Sequence, residues 1–252
     1  SFLRKLEKEK INTAKSSFCF LNTYGSTLGN SLLNFWLKYN LFDFLFVYFK
    51  NLISISSLSN YKIKNFNNQN FKNIIITWGR RENFKNNSYE DSFLSFKSSQ
   101  FKDTLIFVIY NDLNIPKKIP KNVIIFFREK KKVNLFFFFK SFFFFFIKNF
   151  LLYKKFIHYF SFNTLFSETI LSHIKEITNN KKLNKIIMPY EGQTFQNLIN
   201  LELKKIYPNC KTIGIIHSMP PALPINLIRR QGSPDLIYVN GSDQYKLLSK
   251  ST

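Results

Sequence analysis

Four short segments place proton-transferring or hydrogen-bonding side chains directly at the ends of apolar runs. Tyr190-Glu191-Gly192-Gln193 follows the run KIIMP at 185–189 and leads straight into a helical pattern. His217-Ser218-Met219-Pro220-Pro221 follows KTIGII at 211–216. Asn240-Gly241-Ser242 follows DLIYV at 235–239 and again opens a helical pattern. Trp78 ends the run NIIITW at 73–78, and Gly79-Arg80-Arg81 comes after it. A carboxylate in the position of Glu191 has three available tasks. It can take a proton from an attacking hydroxyl, act as an anion near the start of the following helix, or hydrogen-bond a sugar without proton transfer. Gly192 permits either close ligand approach or a tight turn. Gln193 offers its amide to a sugar hydroxyl or caps the helix. An imidazole in the position of His217 suits an acid, a base or a phosphate partner, or else a satisfied structural position. Ser218 adds a hydroxyl beside it. Asn240-Gly241 reads as a phosphate- or sugar-facing loop at a helix start, or as a plain turn. Arg80 and Arg81 suit either a lipid-linked pyrophosphate or a solvated surface.

The elements that must position these residues follow from periodicity. Six short runs rich in Ile, Val and Phe, at 73–78, 104–110, 122–127, 185–189, 211–216 and 235–239, are apolar on both faces, as strands of a parallel sheet are. Helical spacing of apolar residues fills 163–178 and 194–207, the second closed by Pro208. Strands alternating with helices predict an α/β fold, a Rossmann-like parallel sheet with helices on both faces. In such sheets ligands bind at the carboxyl ends of the strands, and that is where all four segments lie. Because 185–189, 211–216 and 235–239 are consecutive strands, Glu191, His217 and Gly241 are expected on one rim. Residues 1–70 divide into a poorly defined helical region, mostly helical over 26–55, and an Asn-rich stretch at 60–73 that reads as a loop. The sheet domain is expected over 71–241, and 242–252 is expected to begin a crossover to a further domain. The chain starts at Ser1 and ends at Thr252 inside a helical pattern, which predicts a piece of a longer gene product.

Composition excludes several classes. The net charge of +22 suggests nucleic acid, but 31 of the 37 basic residues are Lys and only 6 are Arg, alongside 29 Asn and 32 Phe. That is the signature of an A+T-rich genome. Nucleic-acid binders favour the planar, bidentate fork of Arg, so no nucleic-acid partner is expected, although attraction to anionic membrane surfaces survives. No run of 18 or more uncharged apolar residues suggests a spanning helix, and the charged start lacks the apolar core of a signal peptide. Cys19 and Cys210 have neither metal-type spacing nor a disulfide framework, so the expected setting is cytoplasmic. No metal or redox cofactor is implied. The Gly25-Ser26-Thr27-Leu28-Gly29 segment matches no nucleotide-binding loop. Residues 136–146 hold nine phenylalanines. On a helix, Lys132, Lys140, Lys148, Lys154 and Lys155 share an arc of about 160°. This describes either a helix lying in a membrane interface over 132–155 or an over-hydrophobic core helix.

The passage MPYEGQTFQNLINLELKKIYPNCKTIGIIHSMPPALP and the later PDLIYVNG resemble the surface-carbohydrate and capsule-type glycosyltransferases of the GT-B fold. Those proteins have a strand, an E-G-Q turn and a helix, followed by a strand ending in His-Ser or His-Gly. A Pro-containing loop and a P-D-x-I-x-V-x-G strand then lead to the second domain. Upstream, Trp78-Gly79, Phe84 and Tyr89-Glu90-Asp91-Ser92-Phe93 resemble an N-terminal segment of the same group. The resemblance spans 74–248 and is densest over 185–241. It implies the acceptor-side domain of a bacterial enzyme building surface polysaccharide, with a nucleotide sugar as donor and a glycan or lipid-linked acceptor. Glu191 and His217, each at the carboxyl end of a strand, are the expected catalytic residues of such an enzyme. Gly192, Gln193, Ser218, Asn240, Gly241, Trp78 and Arg80, placed at or just after the ends of strands, are the expected substrate contacts, and the resemblance alone adds Tyr89 and Asp91. The expected location is cytoplasmic, peripheral at the inner face of the plasma membrane if 132–155 lies in a membrane interface. Two further readings stand beside it: a polyol-phosphate transferase of the cell wall, which shares the fold, and a non-catalytic membrane-associated scaffold.

Overall fold

The structure is a computed structural model that describes residues 57–66, 70–85, 87–101, 103–112, 114–129, 136, 139, 162–178, 182–217, 227, 229 and 231–249. The helical pattern at 26–55 and nearly all of 132–155 lie outside them. The strands of the main sheet are β1 (Tyr61–Lys64), β2 (Asn73–Gly79), β5 (Thr104–Tyr110), β6 (Val123–Arg128), β7 (Lys185–Pro189), β8 (Lys211–Ile215) and β9 (Leu236–Tyr238). A separate two-stranded hairpin is formed by β3 (Phe84–Lys85) and β4 (Ser88–Tyr89). Three helices complete the described elements, here α1 (Phe162–Thr178), α2 (Thr194–Ile206) and α3 (Ser242–Ser249). The sheet runs β1-β6-β5-β2-β7-β8-β9. Every neighbouring pair is parallel except β1 with β6.

All six expected strands are present. The expected loop at 60–73 is corrected in part, because Tyr61–Lys64 pairs antiparallel with β6 as an edge strand. Its burial alternates, with Tyr61 and Ile63 turned toward the core and both lysines exposed. Half-buried edge strands adopt this period-two pattern, which is hard to see in four residues of an Asn-rich stretch. β5, by contrast, is buried along its whole length, as a central parallel strand covered on both faces must be.

Alternation along β2 divides the core. Ile74 and Ile76 face α1 and α2, packing with Phe107, Phe126, Ile170, Ile174 and Ile199. Ile75 faces the other way and joins Tyr89, Phe96, Ile106, Val108 and Val123. Each such fully buried aliphatic or aromatic side chain contributes about 1.5–3 kcal/mol. The expectation of helices on both faces is therefore corrected for the described residues: the second face is covered by the β3–β4 hairpin and irregular chain up to Phe101. Gly79 explains how the hairpin comes so close. A Cβ there would lie 2.7 Å from Val108 Cγ1 and 3.0 Å from the Tyr89 ring.

The helix-side layer is fastened to the far end of the sheet by Asp235. Its Oδ2 accepts the Thr212 backbone N–H at 2.7 Å and the Thr212 hydroxyl at 3.0 Å, and pairs with Lys204 Nζ of α2 at 2.6 Å. Partial burial raises the carboxyl pKa, but the Lys204 ammonium and the Thr212 donors outweigh it, so the net displacement is downward. A group held below its unfolded value stabilises the fold above that unfolded value, near 3.9 for Asp. The contribution disappears as pH falls through the lower folded value. Asp235→Asn is accordingly expected to lower stability at pH 7 and to narrow the gap to wild type toward pH 2–3. Urea unfolding at the two pH values reads this, and an equal deficit at both would count against it.

Candidate functional site

The chain leaves β2 toward β5 on one side and leaves β7 toward β8 on the other. The order of strands thus reverses between β2 and β7. At such a reversal the loops following two adjacent strands diverge, opening a crevice at their carboxyl ends. Trp78 at the end of β2 and Glu191 just after β7 stand on its two sides.

The turn after β7 is built by side chains of α2. Gly192 has φ 68, a left-handed conformation that favours glycine. Gln196, on the first turn of α2, accepts the backbone N–H groups of Glu191 and Gln193 on Oε1 at 3.0 Å each. It donates from Nε2 to the Pro189 carbonyl at 2.8 Å. Asn197 accepts the Tyr190 hydroxyl at 2.7 Å and donates to the Gly192 carbonyl at 3.3 Å. Both amides are buried. Their bonds hold the Glu191 backbone in one place, so that its carboxylate projects from a rigid base.

That carboxylate meets His217. Glu191 Oε1 lies 3.3 Å from His217 Nε2, while Gln193 Nε2 donates to Glu191 Oε2 at 2.8 Å. The Glu191 side chain is 38% exposed and that of His217 is 20% exposed, so the carboxylate is the more accessible partner. Among the described residues His217 Nδ1, which is buried, has no hydrogen-bond partner. When Nε2 carries the proton toward Glu191, Nδ1 retains a lone pair able to accept one. The His217 ring is packed edge-on against Phe93 with centroids 4.9 Å apart. Phe93 in turn abuts Trp78 at 6.1 Å, and Trp78 abuts Phe195 of α2 at 5.7 Å. A carboxylate–imidazole pair beside an aromatic wall, at a strand-order reversal, can move a proton to or from a ligand hydroxyl.

The expected site residues are distributed as follows. Glu191, Gly192, Gln193 and His217 come together, and Trp78 joins them through Phe93. Arg80 is exposed at the start of a short 3-10 turn, its N–H bonded to Asn83 Oδ1 at 2.8 Å. Asn240 and Gly241 are exposed at the carboxyl end of β9, the outer strand beside β8. The Asn240 N–H donates to Gln244 Oε1 at 2.8 Å. Ser218 lies outside the described residues. Tyr89 and Asp91 are buried and serve the fold instead of lining the rim. Asp91 Oδ2 accepts the Thr77 hydroxyl at 2.6 Å and the Tyr89 hydroxyl at 2.8 Å. Its Oδ1 accepts the N–H groups of Phe93 at 2.8 Å and Leu94 at 2.6 Å. Burial first, and then the Asp91 charge, push the Tyr89 phenol pKa upward, which keeps it a hydrogen-bond donor.

Phe195, Gln196 and Asn197 contribute to the site without having been singled out from sequence, and Phe93 entered only as the end of a segment carrying the resemblance. Of the other three only Gln196 carried a local signal, a Gln three residues after the N-cap, the position from which a capping-box side chain reaches back to the N-cap N–H, as it does here to Gln193. Among the described residues no group of three or more His, Cys, Asp or Glu is arranged to hold a metal ion. Also among them, no helix is long and apolar enough to cross a membrane. Compared with protein-family models, with curated proteins and with solved structures, the chain matches none.

Proposed function

We propose that this chain is the acceptor-side, Rossmann-like part of a GT-B-type glycosyltransferase that works in bacterial surface polysaccharide synthesis. The observation that carries the reading is the 3.3 Å contact between Glu191 and His217 at the crevice between β2 and β7. In this mechanism an acceptor hydroxyl gives its proton to the Glu191 carboxylate as its oxygen bonds to the anomeric carbon of a nucleotide sugar. The bond from that carbon to the diphosphate oxygen breaks, and the leaving group departs with the electron pair. His217, from Nε2, fixes the carboxylate in place. Trp78 and Phe93 form an apolar wall against which a sugar ring can stack. Contacts to the donor nucleotide come mainly from a second domain. Phe136 and Phe139, 77% and 62% exposed, suit an enzyme held at a membrane surface with a lipid-linked acceptor.

The test uses the protein with its donor-binding half, a panel of nucleotide sugars and lipid-linked glycan acceptors, and measures release of nucleoside diphosphate. Transfer is expected with at least one donor. His217→Ala is expected to lower kcat by roughly two orders of magnitude while the circular dichroism spectrum is unchanged. Wild-type turnover in that variant, or folded protein that transfers nothing from any donor, would overturn the reading.

A further inference from the structure

We propose that a groove at the amino-terminal edge of the sheet, the edge opposite the Glu191–His217 pair, binds a multiply charged phosphate group. The groove encloses about 570 Å³ and is lined by Lys64, Lys117, Lys118 and Lys121 together with Asn65 and Asn87. Lys64 ends β1, and the three other lysines lie in the loop that enters β6.

Lysine is abundant in this chain, so number alone says little. The local surroundings say more. Four lysines elsewhere pair with carboxylates, Lys62 with Glu129, Lys97 with Glu90, Lys204 with Asp235 and Lys205 with Glu202. Others, such as Lys175, Lys182 and Lys246, stand singly, and the groove differs in gathering four lysines at one place. Among the described residues none of the four groove lysines has such a partner. The chain from 113 to 128 contains no Asp or Glu at all. Four like charges around one groove repel one another, and an anion placed among them relieves that repulsion. Lysine ammonium groups bind phosphate oxygens as point charges.

Side-chain amides fix the backbone that carries these lysines. Asn65 adopts φ 69, which Asn tolerates better than most residues. From there its side-chain amide donates to the carbonyls of Pro120 and Val123, both at 2.8 Å. Asn122 donates to the carbonyls of Ser98 at 3.0 Å and Phe101 at 2.9 Å. The lysine loop is thereby pinned to β1 on one side and to the chain ahead of β5 on the other. Asn87, at φ 60, turns the β3–β4 hairpin over the groove's remaining side. Two sources supply the required chemistry, the headgroup of an anionic phospholipid and a soluble polyphosphate.

The full chain is titrated with tripolyphosphate by calorimetry, and separately sedimented with phosphatidylcholine vesicles containing phosphatidylglycerol. Two triple variants remove equal charge: K117Q/K118Q/K121Q in the groove and K175Q/K182Q/K246Q elsewhere. All six lysines are exposed, so both variants should fold, as circular dichroism would verify. The groove variant is expected to bind at least roughly tenfold more weakly, and the other variant to bind like wild type. Loss of vesicle binding in the groove variant alone identifies the headgroup as the source. Loss of tripolyphosphate binding alone, with no wild-type affinity for vesicles, identifies a soluble ligand. Equal weakening in both variants would mean that bulk charge does the binding, and wild type that binds neither probe also overturns the site.

Discussion

Glu191→Gln is expected to leave the fold intact and to lower turnover by roughly two to four orders of magnitude, the span of general acid–base catalysis. The substitution is close to isosteric, and the surroundings accept it. Gln193 Nε2, which donates to Glu191 Oε2 at 2.8 Å, can donate equally to an amide oxygen. The new amide nitrogen then faces His217 Nε2, which accepts a hydrogen bond when the ring proton sits on Nδ1. The backbone bonds from Gln196 to the turn do not involve the Glu191 side chain. What disappears is basicity, because an amide does not take a proton from an acceptor hydroxyl at neutral pH. The effect should fall on kcat and leave acceptor KM little changed, since the hydrogen-bonding shape of the site persists. Steady-state kinetics with saturating donor would read the split. Wild-type kcat in Glu191→Gln would remove this carboxylate from the mechanism.

Asp91→Ala is expected to be the most destabilising single change in the described sheet, costing about 3–5 kcal/mol. Its carboxylate accepts four hydrogen bonds in a buried position, from Thr77, Tyr89, Phe93 and Leu94. Alanine leaves four donors without their acceptor and a void between β2 and the hairpin. The two hydroxyls can turn elsewhere, and Tyr89 already lies 3.1 Å from the Trp78 carbonyl. The two backbone N–H groups cannot turn. Asp91→Asn should cost less, because an amide oxygen can keep the Phe93 and Leu94 bonds while the hydroxyls accept from the amide nitrogen. Denaturant unfolding should therefore rank wild type above Asn and Asn above Ala. The loss also reaches the site: Phe93 is placed by its N–H bond to Asp91, and its ring packs on His217. An Ala variant as stable as wild type would show that the Asp91 network does not hold the segment.

The sheet was legible because its signals are local. Ile-rich runs such as 73–78 and 104–110 have the composition of strands buried on both faces, and the helical period over 194–207 needs no distant partner to be seen. β1 was not legible, since two inward residues, Tyr61 and Ile63, make too short an alternation beside so many asparagines. The β3–β4 hairpin escaped for a similar reason. Its strands are two residues each and are held by Asp91 and by the close approach of Tyr89 to Gly79, not by a pattern of their own.

The sequence by itself determined that Glu191, Gly192, Gln193 and His217 follow strands, because where an apolar run stops is a local property of the chain. It also determined the identity of the helix that follows Gln193. Only the tertiary structure decided which of these residues meet. Parallel pairing of β7 with β8 places Glu191 and His217 on the same edge, and strand order puts β2 next to β7. Strand order is settled by which apolar faces cover one another across the whole sheet, and no window of residues encodes it. The same reason separates Phe93 from Tyr89 and Asp91. All three belong to one short segment, yet packing turned Phe93 toward His217 and buried the other two beneath it.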